Sequence, residues 1–196
     1  MDQVQDHQEE RWRDLRRARL LEAARRVFAR LGYEAATVDD IAFEAGIGKP
    51  TIYRYFEGKE ALFEAVFAQT LDDLEARLDA ALAVPGPMAE RLSRLVGEMV
   101  PTFRDHIVPM RDLSGGETWK RRVFRPRRAR IAARLAGVIA EGQAAGEARA
   151  VDPAVAARFL IGLVWSGTNS DLAGDAEITA AIVDFAFRGL APEGRP

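Results

Sequence analysis

The sequence predicts an all-α protein: an N-terminal three-helix unit of the helix-turn-helix kind, followed by a longer helical body. Three observations carry this reading. Apolar residues recur at offsets of three and four along nearly the whole chain, which is the helix repeat. No alternating run is long enough to make a useful strand. Two short apolar-periodic segments meet at a glycine within TVDDIAFEAGIGKPTIYRYFEGK, from Thr37 to Lys59.

Each element follows from local signals. Leu20, Ala24, Val27, Phe28 and Leu31 mark one face of a first helix, which Gly32 ends as a left-handed cap. Thr37 reads as the N-cap of the next helix, with Asp40 completing a capping box. Ile41 and Ala42 give its inner face, Gly46 the turn, Ile47 the packing under the turn. Ile52 and Phe56 give the inner face of a third helix. Lys59 opens a long helix striped by Phe63, Val66, Phe67, Leu71, Leu74 and Leu78, which breaks at Pro85-Gly86-Pro87. Met88 starts a helix expected to stop near Pro101. A short helix and a loop are expected from Thr102 to Thr118. Pro126 either kinks the next helix or starts it, and that helix runs to Gly142. Pro153 and Ile178 mark the last two helices, with a break at Gly174. The polar stretches 1–11 and 191–196 read as disordered tails. That leaves 12–58 as the helix-turn-helix unit and 59–190 as the body.

The 196 residues are 48% hydrophobic, enough for a packed core. There is no cysteine, which excludes disulfides and thiolate metal sites and fits a reducing cytoplasm. The apolar runs are too short to cross a bilayer, and MDQVQDHQEE is unlike a signal peptide. Net charge is −2, but it is unevenly placed. Arg11, Arg13, Arg16, Arg17, Arg19, Arg25, Arg26 and Arg30 are opposed in that stretch only by Asp14 and Glu22.

The third helix carries the chemistry. Its outward face would hold Lys49, Thr51, Tyr53, Arg54 and Tyr55: donors for phosphate, planar groups for bases and few carboxylates. A helix entering the major groove needs this, with an apolar back. Lys49 would meet a phosphate or a guanine edge, Thr51 a thymine methyl or a phosphate, and the two tyrosines phosphate oxygens. Lys59, with the free amides opening its helix, and Thr37 would each make a phosphate clamp. The plainer alternative is a helical hairpin with a solvated polar face.

Residues Arg19 to Val66 closely resemble the N-terminal domain of the TetR family of bacterial transcriptional regulators. The match runs through Ala24, Phe28, Gly32-Tyr33, Thr37-Val38, Ile41-Ala42, Ala45-Gly46-Ile47, Thr51-Ile52-Tyr53, Tyr55-Phe56 and Lys59-Glu60-Ala61-Leu62. The resemblance implies a DNA-binding head joined by a long fourth helix to a helical ligand-binding and dimerisation body. It implies DNA contacts at Thr37, Lys49, Pro50, Thr51, Tyr53, Tyr55 and Lys59, with Arg54 a sequence-dependent contact. Gly48 and Gly58 depart from the family's usual serine or asparagine caps, at a cost of a few tenths of a kcal/mol each. By analogy the partners are a double-stranded DNA operator, a small-molecule effector and a second copy of the chain. No cofactor is implied.

The body is less explicit. Ala156, Leu160, Val164 and Gly167 on one helix, and Ala181, Ile182, Phe185 and Ala186 on the next, are small or branched residues suited to a four-helix dimer contact. They could equally close the subunit's own core. Met99, Phe103, Ile107, Met110, Trp119, Phe124 and Trp165 offer apolar surface for an effector pocket, with His106, Asn169 and Ser166 as polar contacts. Each also reads as ordinary core. The basic run from Lys120 to Arg128 could meet DNA flanks or an anionic ligand such as an acyl-CoA, or pair with nearby acids as a solvated surface.

Catalysis has little support. His7 and His106 are the only histidines, and no Ser-His-Asp order, phosphate-cradling loop or paired-histidine metal motif is present. A DNA-binding architectural protein without regulatory function is the other rival reading. It would bind all sequences with similar salt dependence.

Overall fold

The computed structural model describes residues 2–107, 123–169 and 174–191; of the side chains before Arg11, only that of His7 is included. The elements among the described residues are all helices, with no strand among them. Helix α1 spans Asp2–Ala35 and bends at Gly32 (φ 73°), the left-handed break that its glycine permits. The stretch expected to be a disordered tail is thus helical from Asp2. Its glutamines and glutamates are good helix formers and simply extend the helix behind them.

Helices α2 (Val38–Ala45) and α3 (Lys49–Tyr53) complete the head. Helix α4 (Lys59–Leu82) is shared between the two regions. Its Phe63 packs edge-on against Phe28, with centroids 5.4 Å apart, while Leu71, Leu74 and Leu78 enter the core of the body. One apolar cluster therefore runs without a break from Leu20 to Leu190.

Helix α5 (Met88–Thr102) passes Pro101 instead of stopping there, and continues as a π-helical turn, Phe103–Ile107. Proline removes one backbone donor and crowds the preceding turn, and a wider turn relieves the crowding. The Thr102 hydroxyl donates to the Glu98 carbonyl at 3.0 Å. Helix α6 (Arg125–Ala144) carries Pro126 in its first turn, so that proline starts the helix rather than kinking it. Helices α7 (Pro153–Thr168) and α8 (Asp175–Leu190) close the body.

Polar side chains fix the connections. Asp152 caps α7 by accepting from the Ala154 and Val155 amides at 2.8 and 3.2 Å. The Gln143 amide donates to the carbonyls of Arg149 and Val151, both at 2.8 Å, which sets the turn between α6 and α7. Arg149 in turn donates from Nε to the Gly189 carbonyl at 2.6 Å, at the C-terminal end of α8.

One arginine of the basic run, Arg127, joins a ladder that continues beyond it. Helices α4 and α6 lie side by side, and Arg127, Arg130 and Arg134 each meet a carboxylate 55 residues earlier. Arg127 donates to Asp72 at 2.7 and 2.9 Å, Arg130 to Glu75 at 2.8 Å twice, and Arg134 to Asp79 at 2.7 and 2.8 Å. Glu75, itself buried, also accepts from Arg134 at 3.2 Å. Both partners ascend together, so the helices are parallel, and positions spaced by three and four stay on one face. Lys120 and its neighbours Arg121 and Arg122 lie outside the described residues.

Candidate nucleic-acid interface and regulatory cavity

The head is set by short-range bonds. The capping box forms as expected: the Asp40 amide donates to Thr37 Oγ1 at 3.1 Å and the Thr37 amide to Asp40 Oδ2 at 2.9 Å. The Thr37 hydroxyl, which donates to Asp40 Oδ2, and then the Thr37 amide hold the Asp40 carboxyl below its usual range. Gly46 takes the left-handed conformation (φ 66°, ψ 33°), and its amide returns to the Ala42 and Phe43 carbonyls. A side chain there would be strained. Across the junction, Arg26 Nε donates to Glu44 at 2.8 Å and ties α1 to α2. The Arg17 guanidinium lies 5.4 Å from the centre of the Phe56 ring.

Helix α3 has the two-sided character that its sequence implied. Ile52 and Phe56 are buried against the rest of the head. Lys49, Pro50, Tyr53 and Arg54 are exposed, while Thr51 and Tyr55 are half-buried. Gly48 caps the helix with no side-chain bond, and Pro50 sits in its first turn. Lys49 Nζ lies 2.6 Å from the carboxylate of Asp39 on α2.

Two of the expected phosphate clamps look different in place. The Lys59 ammonium donates to the carbonyls of Tyr33, Glu34 and Ala36 at 2.9, 3.4 and 3.0 Å, and stands 4.3 Å from the centre of the Tyr33 ring. It satisfies the end of α1 instead of reaching outward, as a cation at a helix C-terminus should. The Thr37 hydroxyl donates to Asp40 at 2.6 Å, and its amide is committed to the same carboxylate. Neither Thr37 donor is left for a phosphate while the box stands.

The body contains a cavity of about 240 Å³ lined by Leu71, Phe103, Phe124, Ile131, Ile161 and Trp165, with Gly162 and Arg128 also at its edge. Phe103 meets Trp165 edge-on, with centroids 6.2 Å apart. Three expected pocket residues therefore come together here: Phe103, Phe124 and Trp165. Met99 and Ile107 do not; both are fully buried core. Asn169 is exposed at the end of α7. His106 faces a separate polar cavity with Arg25, Asp73, Arg77 and Asp105. Met110 and Trp119 lie outside the described residues. Sequence reasoning missed Leu71, Ile131 and Ile161, and offered Arg128 only as part of the basic run that could meet an anionic ligand. Arg128 and Ile131 share one face of α6 with Phe124, at spacings of four and seven, and that pattern was available.

Half of the eight residues assigned to a dimer contact are buried, although Ala156, Leu160, Phe185 and Ala186 line one surface groove. Leu160, Val164, Ile182 and Ala186 are buried within the subunit. Gly167 lets α8 approach closely: a Cβ there would stand 3.0 Å from Ile178 Cγ2. Of the original set, Ala181 and Phe185 are exposed. The outward apolar face of these two helices is Val155, Phe159 (71% exposed) and Phe185 (67% exposed), around a groove of about 290 Å³. Both sides of α7 are apolar, so periodicity alone gave its stripe but not its rotation. No helix among the described residues is long and apolar enough to cross a membrane.

An exposed short helix, set at a glycine turn and backed by isoleucine and phenylalanine, on a helical body, is the architecture of a helix-turn-helix transcription regulator. Comparison with known proteins agrees. Residues 20–66 match the family described as bacterial regulatory proteins, tetR family, and residues 85–169 match the tetracyclin repressor-like C-terminal domain. A transcriptional regulator of the TetR/AcrR family from Thermobifida fusca is 30% identical, with a TM-score of 0.73 over 89% of this chain and 97% of that one. The activator FasR of Mycolicibacterium smegmatis is 40% identical over 84 residues, 43% of this chain and 38% of FasR. The repressor KstR of the same organism is 31% identical over 84 residues, 43% of this chain and 41% of KstR. The chain thus spans under half the length of these curated relatives. It belongs to the TetR family of DNA-binding transcription regulators.

Proposed function

We propose that the chain is a cytoplasmic, effector-responsive repressor that reads a palindromic operator as a homodimer. The observation that carries this reading is the polarity of α3. Ile52 and Phe56 are sealed inside, while Lys49, Pro50, Tyr53 and Arg54 project from the head. Arg54 and Lys49 supply donors for base edges, Thr51 a methyl for thymine, and Tyr53 and Tyr55 hydroxyls for phosphate. Lys59 ties the start of α4 to the end of α1, and the free amides opening α4 take over its expected phosphate contact.

Two copies joined through Phe159 and Phe185 would place two α3 helices on successive turns of the duplex, roughly 34 Å apart. The cavity supports an apolar effector. Arg128, at its edge, suits an effector with an anionic or carbonyl end. Its walls come from α4, α6, α7 and the π-helical turn, and α4 also carries the head. An effector that prefers one placement of α4 shifts the spacing of the heads by no more than its difference in affinity between the two placements.

The test is enrichment of genomic fragments on the full chain. A single palindrome is expected, and Arg54→Ala should change the preferred base at a position in each half-site, by about 1–3 kcal/mol of discrimination. Uniform recovery of all fragments contradicts the regulator and favours the architectural reading.

A further inference from the structure

We propose that Asp39 is a specificity-determining residue, and that Asp39 and Lys49 together read one G·C pair in each half-site. The inference rests on the operator-binding reading of α3. It adds to that reading a residue from the other helix of the motif, and a base.

The observation is an ion pair in an unexpected place. Asp39 lies in the first turn of α2 and Lys49 opens α3, and their charged atoms are 2.6 Å apart on the solvent side of the head. The Asp39 side chain is 68% exposed and that of Lys49 47%. Exposed pairs of this kind add little stability. A carboxylate beside a DNA-reading helix also repels phosphate, so it opposes general affinity for DNA. What it supplies is chemistry that no lysine or arginine can: an acceptor.

The major-groove edge of a G·C pair presents two acceptors, N7 and O6 of guanine, followed by the N4 donor of cytosine. An ammonium with three donors, held at hydrogen-bond distance from a carboxylate, is the complement of that order. Lys49 covers the guanine acceptors and Asp39 accepts from cytosine N4. An A·T pair offers acceptor, donor, acceptor, and leaves the thymine oxygen facing the carboxylate. Asp39 therefore penalises A·T at this position while Lys49 rewards G·C. The ion pair also shields the carboxylate from the phosphates until the base is reached.

The experiment is selection from a randomised duplex pool with the full chain, its D39N variant and its D39A variant, after melting curves establish that all three are folded. The wild type should enrich a palindrome containing a fixed G·C pair in each half-site. D39A should lose that preference, with discrimination at the position falling about tenfold or more and affinity for unrelated DNA rising. D39N, whose amide can both donate and accept, should admit adenine there. If wild type, D39N and D39A enrich the same palindrome with the same preference at every position, the pair is only a clamp between α2 and α3 and the inference is wrong, while the regulator reading stands. If the wild type enriches nothing, the regulator reading fails and this inference with it.

Discussion

The head and the body of this protein are made specific in different ways. In the head, the ends of α2 are set by bonds reaching three to five residues: the Thr37–Asp40 box, the Gly46 turn, the return of Ile47 to Ala42. In the body, α7 is apolar on both sides, and the decisive polar contacts join residues 55 apart, as Arg134 joins Asp79. Local devices define the reading surface, and distant ones define how that surface is carried. The proposed regulation by an effector would need this division, because the head would have to stay intact while its placement changes.

Breaking a distant device should cost most. Glu75 is buried and accepts from both Arg130 and Arg134. Glu75→Ala leaves the largely buried Arg134 short of a partner and should destabilise the protein by about 2 kcal/mol, lowering the melting temperature by about 4–8 °C. Asp72→Ala removes a rung whose carboxylate is half exposed and should cost under about 0.5 kcal/mol. Equal losses for the two would mean that the ladder is decorative and the body is held by its apolar cluster alone.

A local device should cost less and act closer to home. Thr37→Ala removes the hydroxyl half of the capping box and should cost about 1 kcal/mol, read by chemical denaturation. Amide exchange should speed in α2 and α3 while α7 and α8 keep their protection. Uniform loosening of head and body would erase the distinction drawn here.

The smallest effect lies at the seam between the two regions. Burial, aided by Arg25 and Arg77, holds the His106 imidazole below its ordinary value of 6.5, against the opposite pull of Asp105 and Glu22. Its Nδ1 is buried without a hydrogen-bond partner. A depressed value means the folded state binds the proton less readily than the unfolded chain. This contribution is therefore fully present above about pH 6.5, declines as pH falls toward the depressed value, and then levels off. His106→Gln should flatten that part of the stability profile between pH 7 and pH 5. An unchanged profile would place the imidazole in water.

This contrast also explains what the sequence disclosed. The head was legible because its signals are short: Thr37 with Asp40, a glycine at 46, and Ile52 and Phe56 on one side of α3. The protein contacts of Lys59 were not legible because its partners lie at the end of α1 and just past it, 23 to 26 residues away. The rotation of α7 was lost because Leu160 and Phe159 are both apolar, yet one is buried and the other 71% exposed. Met99 and Ile107 resembled pocket residues because a core side chain and a cavity wall have the same composition. Only the packing of α5 and the π-helical turn against their neighbours separates them.

The central claim is that the face of α3 bearing Lys49 enters the DNA groove. Chemical labelling of lysines, read by mass spectrometry with and without the enriched duplex, tests it most directly. Lys49, exposed in the free protein, should label readily and become protected on the duplex, while Lys59, held by three carbonyls, should label slowly in both states. Equal labelling of Lys49 in free protein and bound complex would contradict the claim.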